Sequence, residues 1–139
     1  MPEPLEVATR ALARRDYSER ELRDRLTRAG VEVAEAEKTL AALRERGLLD
    51  DSRFAAQRAA VLAERGRGDA AIRFELERQG VSAEVIDEAV ASVEPERDRA
   101  ERIVSRRGAG AKTARLLAQR GFDPELVALA GEARIAPGA

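Results

Sequence analysis

Two adjacent carboxylates, Asp50-Asp51, are the first residues of this chain to suggest chemistry. A pair of acids can hold a metal ion or divide general acid and base roles. The 139 residues contain no His, and no further carboxylate lies at metal-loop spacing, so the pair reads instead as the cap of a following helix. Without His there is no Ser-His-Asp triad, no imidazole base and no His-bound zinc. Without Cys there is no thiol nucleophile and no disulfide. Gly66-Arg67-Gly68 and Gly108-Ala109-Gly110 have the look of phosphate loops. Neither follows a strand pattern or ends in Gly-Lys-Ser/Thr, so both read as breaks between helices. The expectation is a protein that is not an enzyme, with no cofactor and no metal.

What is left is charge. Charged residues make up 37% of the chain, yet the formal net charge is −1, so no global field draws in nucleic acid. The basic residues are nearly all arginine, Lys38 and Lys112 being the only lysines. Between positions 97 and 120, Arg97, Arg99, Arg102, Arg106, Arg107, Lys112, Arg115 and Arg120 are opposed only by Asp98 and Glu101. Such a segment binds a phosphate backbone by counterion release, or an acidic protein surface. The competing reading is a solvated face whose Arg106, Arg107 and Arg120 sit at helix C-termini, where the dipole favours cations. A second cluster, Arg10, Arg14, Arg15, Arg20 and Arg23, is either a partner contact or a set of i,i+4 pairs with nearby acids. The candidate contact residues are therefore Arg97, Arg99, Arg106, Arg107, Lys112, Arg115 and Arg120, with Arg14 and Arg15 beside them. Aromatic residues are only 3% of the chain, so base stacking is not expected, and Phe54, Phe74 and Phe122 are assigned to cores.

The elements that must carry these residues follow from a repeated turn. Leu22-x3-Leu26-x3-Gly30-Val31, Ile72-x3-Leu76-x3-Gly80-Val81 and Thr113-x3-Leu117-x3-Gly121-Phe122 each place apolar residues four apart before a glycine stop and an apolar residue. Helical periodicity runs nearly end to end, and no stretch alternates as a strand would. Leu5, Ala8 and Leu12 form a first apolar stripe, with the helix ending near Asp16. Ser18-Glu19-Arg20-Glu21 is a capping box. Asp50 or Asp51, Asp69, Ser82 and Asp123 are expected caps, and Pro95 and Pro124 suit first turns. Leu48 and Leu49 are expected to plug a joint between blocks. Leu126, Ala130 and Ala133 line the last helix, and Ala136-Pro137-Gly138-Ala139 is a fraying tail.

The fold class is thus all-α: an elongated tandem array of three three-helix repeats, about nine short helices, divided at 1–47, 48–94 and 95–139. Ala36, Leu40 and Leu43 stand at the same offsets from Gly30 as Ile86, Val90 and Val93 from Gly80, while the third stripe slips by one residue. Helices this short are unstable alone and must be held by neighbours. Repeat arrays of this kind mostly bind other macromolecules along an extended surface. No apolar run reaches bilayer length, and Met1-Pro2-Glu3-Pro4 lacks the regions of a signal peptide, so a cytoplasmic protein without membrane contact is expected.

The joints also carry a family likeness. Arg14-Arg15-Asp16-Tyr17-Ser18-x2-Glu21-Leu22-x3-Leu26-x3-Gly30 resembles the first-repeat signature of the RecX family, and Gly47-Leu48-Leu49-Asp50-Asp51-x-Arg53-Phe54-Ala55 is similar to its best-known joint. Gly68-x3-Ile72-x3-Leu76-x3-Gly80-Val81 and Leu117-x2-Arg120-Gly121-Phe122 resemble its second and third repeats. The resemblance implies a non-enzymatic regulator of the recombinase RecA, acting in DNA recombination, DNA repair and the SOS response. It implies a monomer lying in the groove of the RecA–DNA filament, near single-stranded DNA, and inhibiting strand exchange and ATP hydrolysis. The alternative is a stand-alone helix-turn-helix DNA-binding protein, with the helix from Ser18 to Ala29 in a major groove. That helix sets three acids against four bases and has no Asn or Gln for base edges.

Overall fold

The structure is a computed structural model that describes residues 3–132; Ala133 and the Ala136–Ala139 tail lie outside the described residues. Among the described residues there are nine helices and no strand. They are α1 (Pro4–Leu12), α2 (Glu19–Arg28), α3 (Val33–Glu45), α4 (Asp51–Glu64), α5 (Asp69–Arg78), α6 (Ala83–Ser92), α7 (Glu96–Arg107), α8 (Ala111–Gln119) and α9 (Pro124–Gly131).

Local chemistry starts and stops them as the sequence predicts, with a few exceptions. The Ser18 hydroxyl accepts from the Glu21 amide while the Glu21 carboxylate accepts from the Ser18 amide, closing the capping box. Asp50 caps α4, Ser82 caps α6, and Asp123 caps α9 ahead of Pro124. Past α2, α5 and α8, the apolar residue after each glycine donates back to a buried leucine: Val31 to Leu26, Val81 to Leu76 and Phe122 to Leu117. Glycine is needed at these stops because φ is +88° at Gly30, +81° at Gly80 and +85° at Gly121. The prediction for Asp69 was wrong: Gly68 occupies the N-cap position, and Asp69 is the first helical residue. The first helix ends at Leu12, four residues before Asp16, and Leu5 is exposed while Ala8 and Ala11 are buried.

Three separate hydrophobic cores result. Ala8, Leu22, Leu26, Leu40, Leu43 and Leu49 belong to the first. Phe54, Leu62, Ile72, Leu76, Ile86 and Val90 belong to the second, and Ala100, Val104, Leu117, Phe122, Leu126 and Ala130 to the third. Broad helix–helix contacts join α1, α2 and α3 to one another, then α4, α5 and α6, then α7, α8 and α9, and none crosses between triplets. Leu48 does not plug a joint. It is 45% exposed, and Leu49 alone is buried, in the first core. The turn at Gly47, which ties the Leu48 amide to the Leu43 carbonyl, leaves the Leu48 side chain on the surface.

The triplets are strung together by helix ends. The Ser18 hydroxyl at the start of α2 donates to the Gln79 carbonyl at the end of α5 (2.6 Å), and Arg20 donates to the Arg78 carbonyl (2.6 Å). One triplet later the Gly68 amide at the start of α5 donates to the Arg120 carbonyl at the end of α8 (2.8 Å), and the Ala70 amide to the Gly121 carbonyl (3.2 Å). The first-turn amides of a helix and the last carbonyls of another are the groups no helix satisfies internally; at the second joint they satisfy each other, and at the first the Ser18 and Arg20 side chains satisfy the carbonyls. The helix dipoles meet head to tail, which is also attractive. A carboxylate from the next triplet completes each joint: Asp51 accepts from the Glu19 amide (2.8 Å), and Glu96 from the Asp69 amide (2.7 Å).

Gly68 shows how close the second joint is. A methyl group there would lie 2.5 Å from the Phe122 amide nitrogen and closer still to the Gly121 carbonyl, both backbone atoms. At Gly30 a methyl group would meet nothing, and only the left-handed backbone opposes it. Gly30→Ala should therefore cost about 1–2 kcal/mol in urea unfolding without altering the joints. Gly68→Ala, at an ordinary φ of −82°, should instead separate unfolding of the third core from that of the second, with a cost of about 1–3 kcal/mol. A single cooperative transition in Gly68→Ala would contradict the joint as described.

Burial in the joints pushes the Asp51 and Glu96 carboxyls above their ordinary range, against the amide bonds that favour the ionised forms. A carboxyl raised on folding takes up a proton more readily in the native state. Its contribution therefore favours the native state at acid pH and is lost as pH rises through the folded-state value. Relative to the parent, a combined Asp51→Asn and Glu96→Gln variant should be most favoured at neutral pH, and the Tm difference should shift toward the parent on acidification into the carboxylate range. A difference that moves the other way would show that the amide bonds, not burial, control these groups.

Candidate nucleic-acid interface

The candidate arginines do not form one face. Four of them, Arg99, Arg106, Arg107 and Arg120, line an open cleft of about 910 Å³ together with Arg65 and Arg102. The walls are the end of α4, one side of α7 and the end of α8, so the cleft lies across the joint between the second and third cores. Its floor includes the apolar Ala63 and Ile103, and Glu64 is its one acidic residue.

The lining arginines fall into two groups. Arg99 is 6% exposed and is part of the joint. It donates to the Glu94 carbonyl (2.8 Å) and the Arg67 carbonyl (2.7 Å), pairs with the Asp69 carboxylate, and lies 5.9 Å from the centre of the Phe122 ring. Arg102 is held by both oxygens of Glu94 (2.9 and 2.7 Å). Arg65, Arg106, Arg107 and Arg120 form no ion pair among the described residues. Arg106 and Arg107 are in the last turn of α7, and the Arg120 side chain lies over Gly66, whose own φ is +83°.

The other candidates stand elsewhere. Arg97 is exposed and paired with Glu101 one turn on (3.2 Å). Lys112 and Arg115 are exposed on α8 but do not line the cleft. Arg14 is exposed near the end of α1. Arg15 stacks on Tyr17, 3.7 Å from the ring centre, and pairs with Glu21 (3.3 Å). Much of the first cluster takes up ion pairs: Arg10 with Glu6, and Arg23 with Glu37 (2.6 Å). The Arg23 guanidinium holds the Glu37 carboxyl below its usual range, and Glu37 in turn raises Arg23. Arg65 was missed, since it belongs to a different stretch of sequence and meets the segment only through the joint. Phe74, assigned to a core, is 61% exposed, with Arg78 5.9 Å from its ring centre; it lies off the buried Ile72–Leu76 stripe of α5.

The helix from Ser18 is poorly placed for a groove. Base-reading helices present their first residues to DNA. Here Ser18 and Arg20 are bound to the end of α5, and the Glu19 amide to Asp51. Among the described residues, no three His, Cys, Asp or Glu side chains gather into a metal-binding group, and no helix is long and apolar enough to cross a membrane.

Three small helical cores threaded through helix ends define an all-α tandem-repeat protein. Family models described as the first and second three-helix domains of RecX match residues 5–43 and 50–90. The chain is 36% identical to the regulatory protein RecX of Halorhodospira halophila over 92% of its length and 86% of the relative's. It is 40% identical to that of Chromohalobacter salexigens over 89% and 88%. The crystal structure of RecX from Lactobacillus salivarius superposes with a TM-score of 0.78, covering 94% of both chains at 14% identity, which speaks for the fold alone. The chain belongs to the RecX family.

The buried position of Arg99 separates its role from that of its neighbours. Arg99→Ala strands the Asp69 carboxylate and two carbonyls, and should lower stability by about 3–5 kcal/mol in denaturant unfolding. Lys112→Ala and Arg115→Ala should stay within about 0.5 kcal/mol of the parent. Equal effects from all three would show that Arg99 is no more structural than a surface cation.

Proposed function

We propose that this protein is a non-enzymatic regulator that binds the RecA–DNA filament and inhibits recombinase and ATPase activity, so modulating recombination and DNA repair. It acts as a cytoplasmic monomer, with the division 1–47, 48–94 and 95–139 as its three repeats. The reading is supported by the relatives, which bear the name regulatory protein RecX. The observation that carries it at the level of residues is the set of unpaired guanidinium groups, Arg65, Arg106, Arg107 and Arg120, on one cleft of an otherwise charge-balanced chain. Guanidinium forks match phosphate oxygens and carboxylates alike, so the cleft suits single-stranded DNA in the filament or an acidic face of the recombinase. Lys112 and Arg115 are exposed on α8, outside the cleft, and offer two further cations to the same partner.

Titration against RecA assembled on single-stranded DNA tests the proposal. ATP turnover should fall at or below one protein per recombinase subunit, with little binding to bare duplex. Charge reversal at Arg106, Arg107, Lys112 and Arg115 should remove the inhibition at modest salt. Turnover unchanged at excess protein rejects the function; inhibition that survives charge reversal rejects the site.

A further inference from the structure

The two joints are built alike, and matching them position by position shows what is special about the second. Asp51 corresponds to Glu96, Glu19 to Asp69, and Gln79 at the end of α5 to Arg120 at the end of α8. Carrying that register along α4 and α7 sets Phe54 against Arg99, Gln57 against Arg102 and Val61 against Arg106. At the first joint the groove is lined by Phe54, Gln57, Val61 and Gln79, and its arginines are neutralised: Arg15 by Glu21 (3.3 Å) and Arg58 by Glu75 (2.6 Å). At the second joint four uncharged positions have become arginine. Helix-end preference explains Arg106 and Arg120 but not Arg99 and Arg102, which lie before the last turn of α7.

The charge is also divided between two bodies. Arg65 belongs to the second triplet, and Arg106, Arg107 and Arg120 to the third. Like charges facing each other across a joint repel. Among the described residues no helix pair packs extensively between the triplets, so no broad apolar face there opposes that repulsion. An anion seated between the two sides replaces repulsion by attraction to both. One phosphate accepts from several guanidinium groups at once, and neighbouring phosphates bring further charge within a few ångströms. The volume, about 910 Å³, accommodates several such groups.

We propose that this cleft binds a run of closely spaced phosphates, and that its occupation fixes the angle between the second and third cores. The phosphates come from a nucleic-acid strand or from a free polyphosphate; the recognition chemistry is the same. The inference does not depend on filament binding, since it holds for a phosphate chain with no recombinase present.

The chain has no native cysteine, so Glu84→Cys on α6 and Glu125→Cys on α9, both exposed, take one spin label each. Inorganic tripolyphosphate should narrow the distribution of distances between the labels. Arg106→Gln with Arg107→Gln should weaken its binding, read by calorimetry, by about tenfold or more and abolish the narrowing. Arg65→Gln, from the other side of the joint, should do the same, with thermal melting confirming that both variants stay folded. Narrowing by an oligothymidylate as well identifies a strand as the source; narrowing by tripolyphosphate alone identifies a free polyphosphate. An unchanged distribution with both probes overturns the proposal, as does narrowing that survives in both variants. Failure of filament inhibition with narrowing intact would reject only the proposed function.

Discussion

The structure depends on one economy of backbone hydrogen bonding. Every helix leaves amides at its start and carbonyls at its end without internal partners. In this chain the middle helix of each triplet turns its start toward the end of the next middle helix, so α2 follows on α5 and α5 on α8. Asp51 and Glu96 take the amides left over. The joints are therefore polar and directional, and they are small. The three apolar cores are separate, and the angle between them is set by a few helix-end contacts.

That arrangement decides where function can be placed. A joint made from helix ends brings the last-turn cations of one triplet against the neighbouring triplet. At the first joint the groove arginines, Arg15 and Arg58, lie outside helix last turns and are paired with Glu21 and Glu75. At the second joint last-turn cations accumulate, and Arg99 is drawn into the interior as a structural cation beside Asp69. The same contacts that hold two cores together thus create a basic cleft in a protein whose total charge is nearly zero. A partner that fills the cleft necessarily touches both cores.

Most of the fold was legible in the sequence because it is written locally. The capping box at Ser18, the caps at Asp50, Ser82 and Asp123, and the glycine stops are all short-range signals, and each sits where the spacing put it. What misled was long-range. Asp69 looks like a cap, but the joint needs the bare Gly68 there, and the Asp69 carboxylate goes to Arg99. Leu48 looks like a plug, but the joints are polar and have no place for it. Arg99 is indistinguishable by type from Arg97 two residues earlier, although one is buried and the other is solvated. Arg65 joins the basic cleft from a segment that shows no excess of positive charge.

The most direct measurement of the account is amide hydrogen exchange on the intact protein. First-turn amides normally exchange freely, and those of Ala34 and Glu35 in α3, a helix without a side-chain cap, provide the reference. The amides of Glu19, Gly68, Asp69 and Ala70 should be protected by about tenfold or more relative to them, because each donates across a joint. Exchange at the reference rate would mean that the helix ends do not meet and that the cores are linked by chain alone.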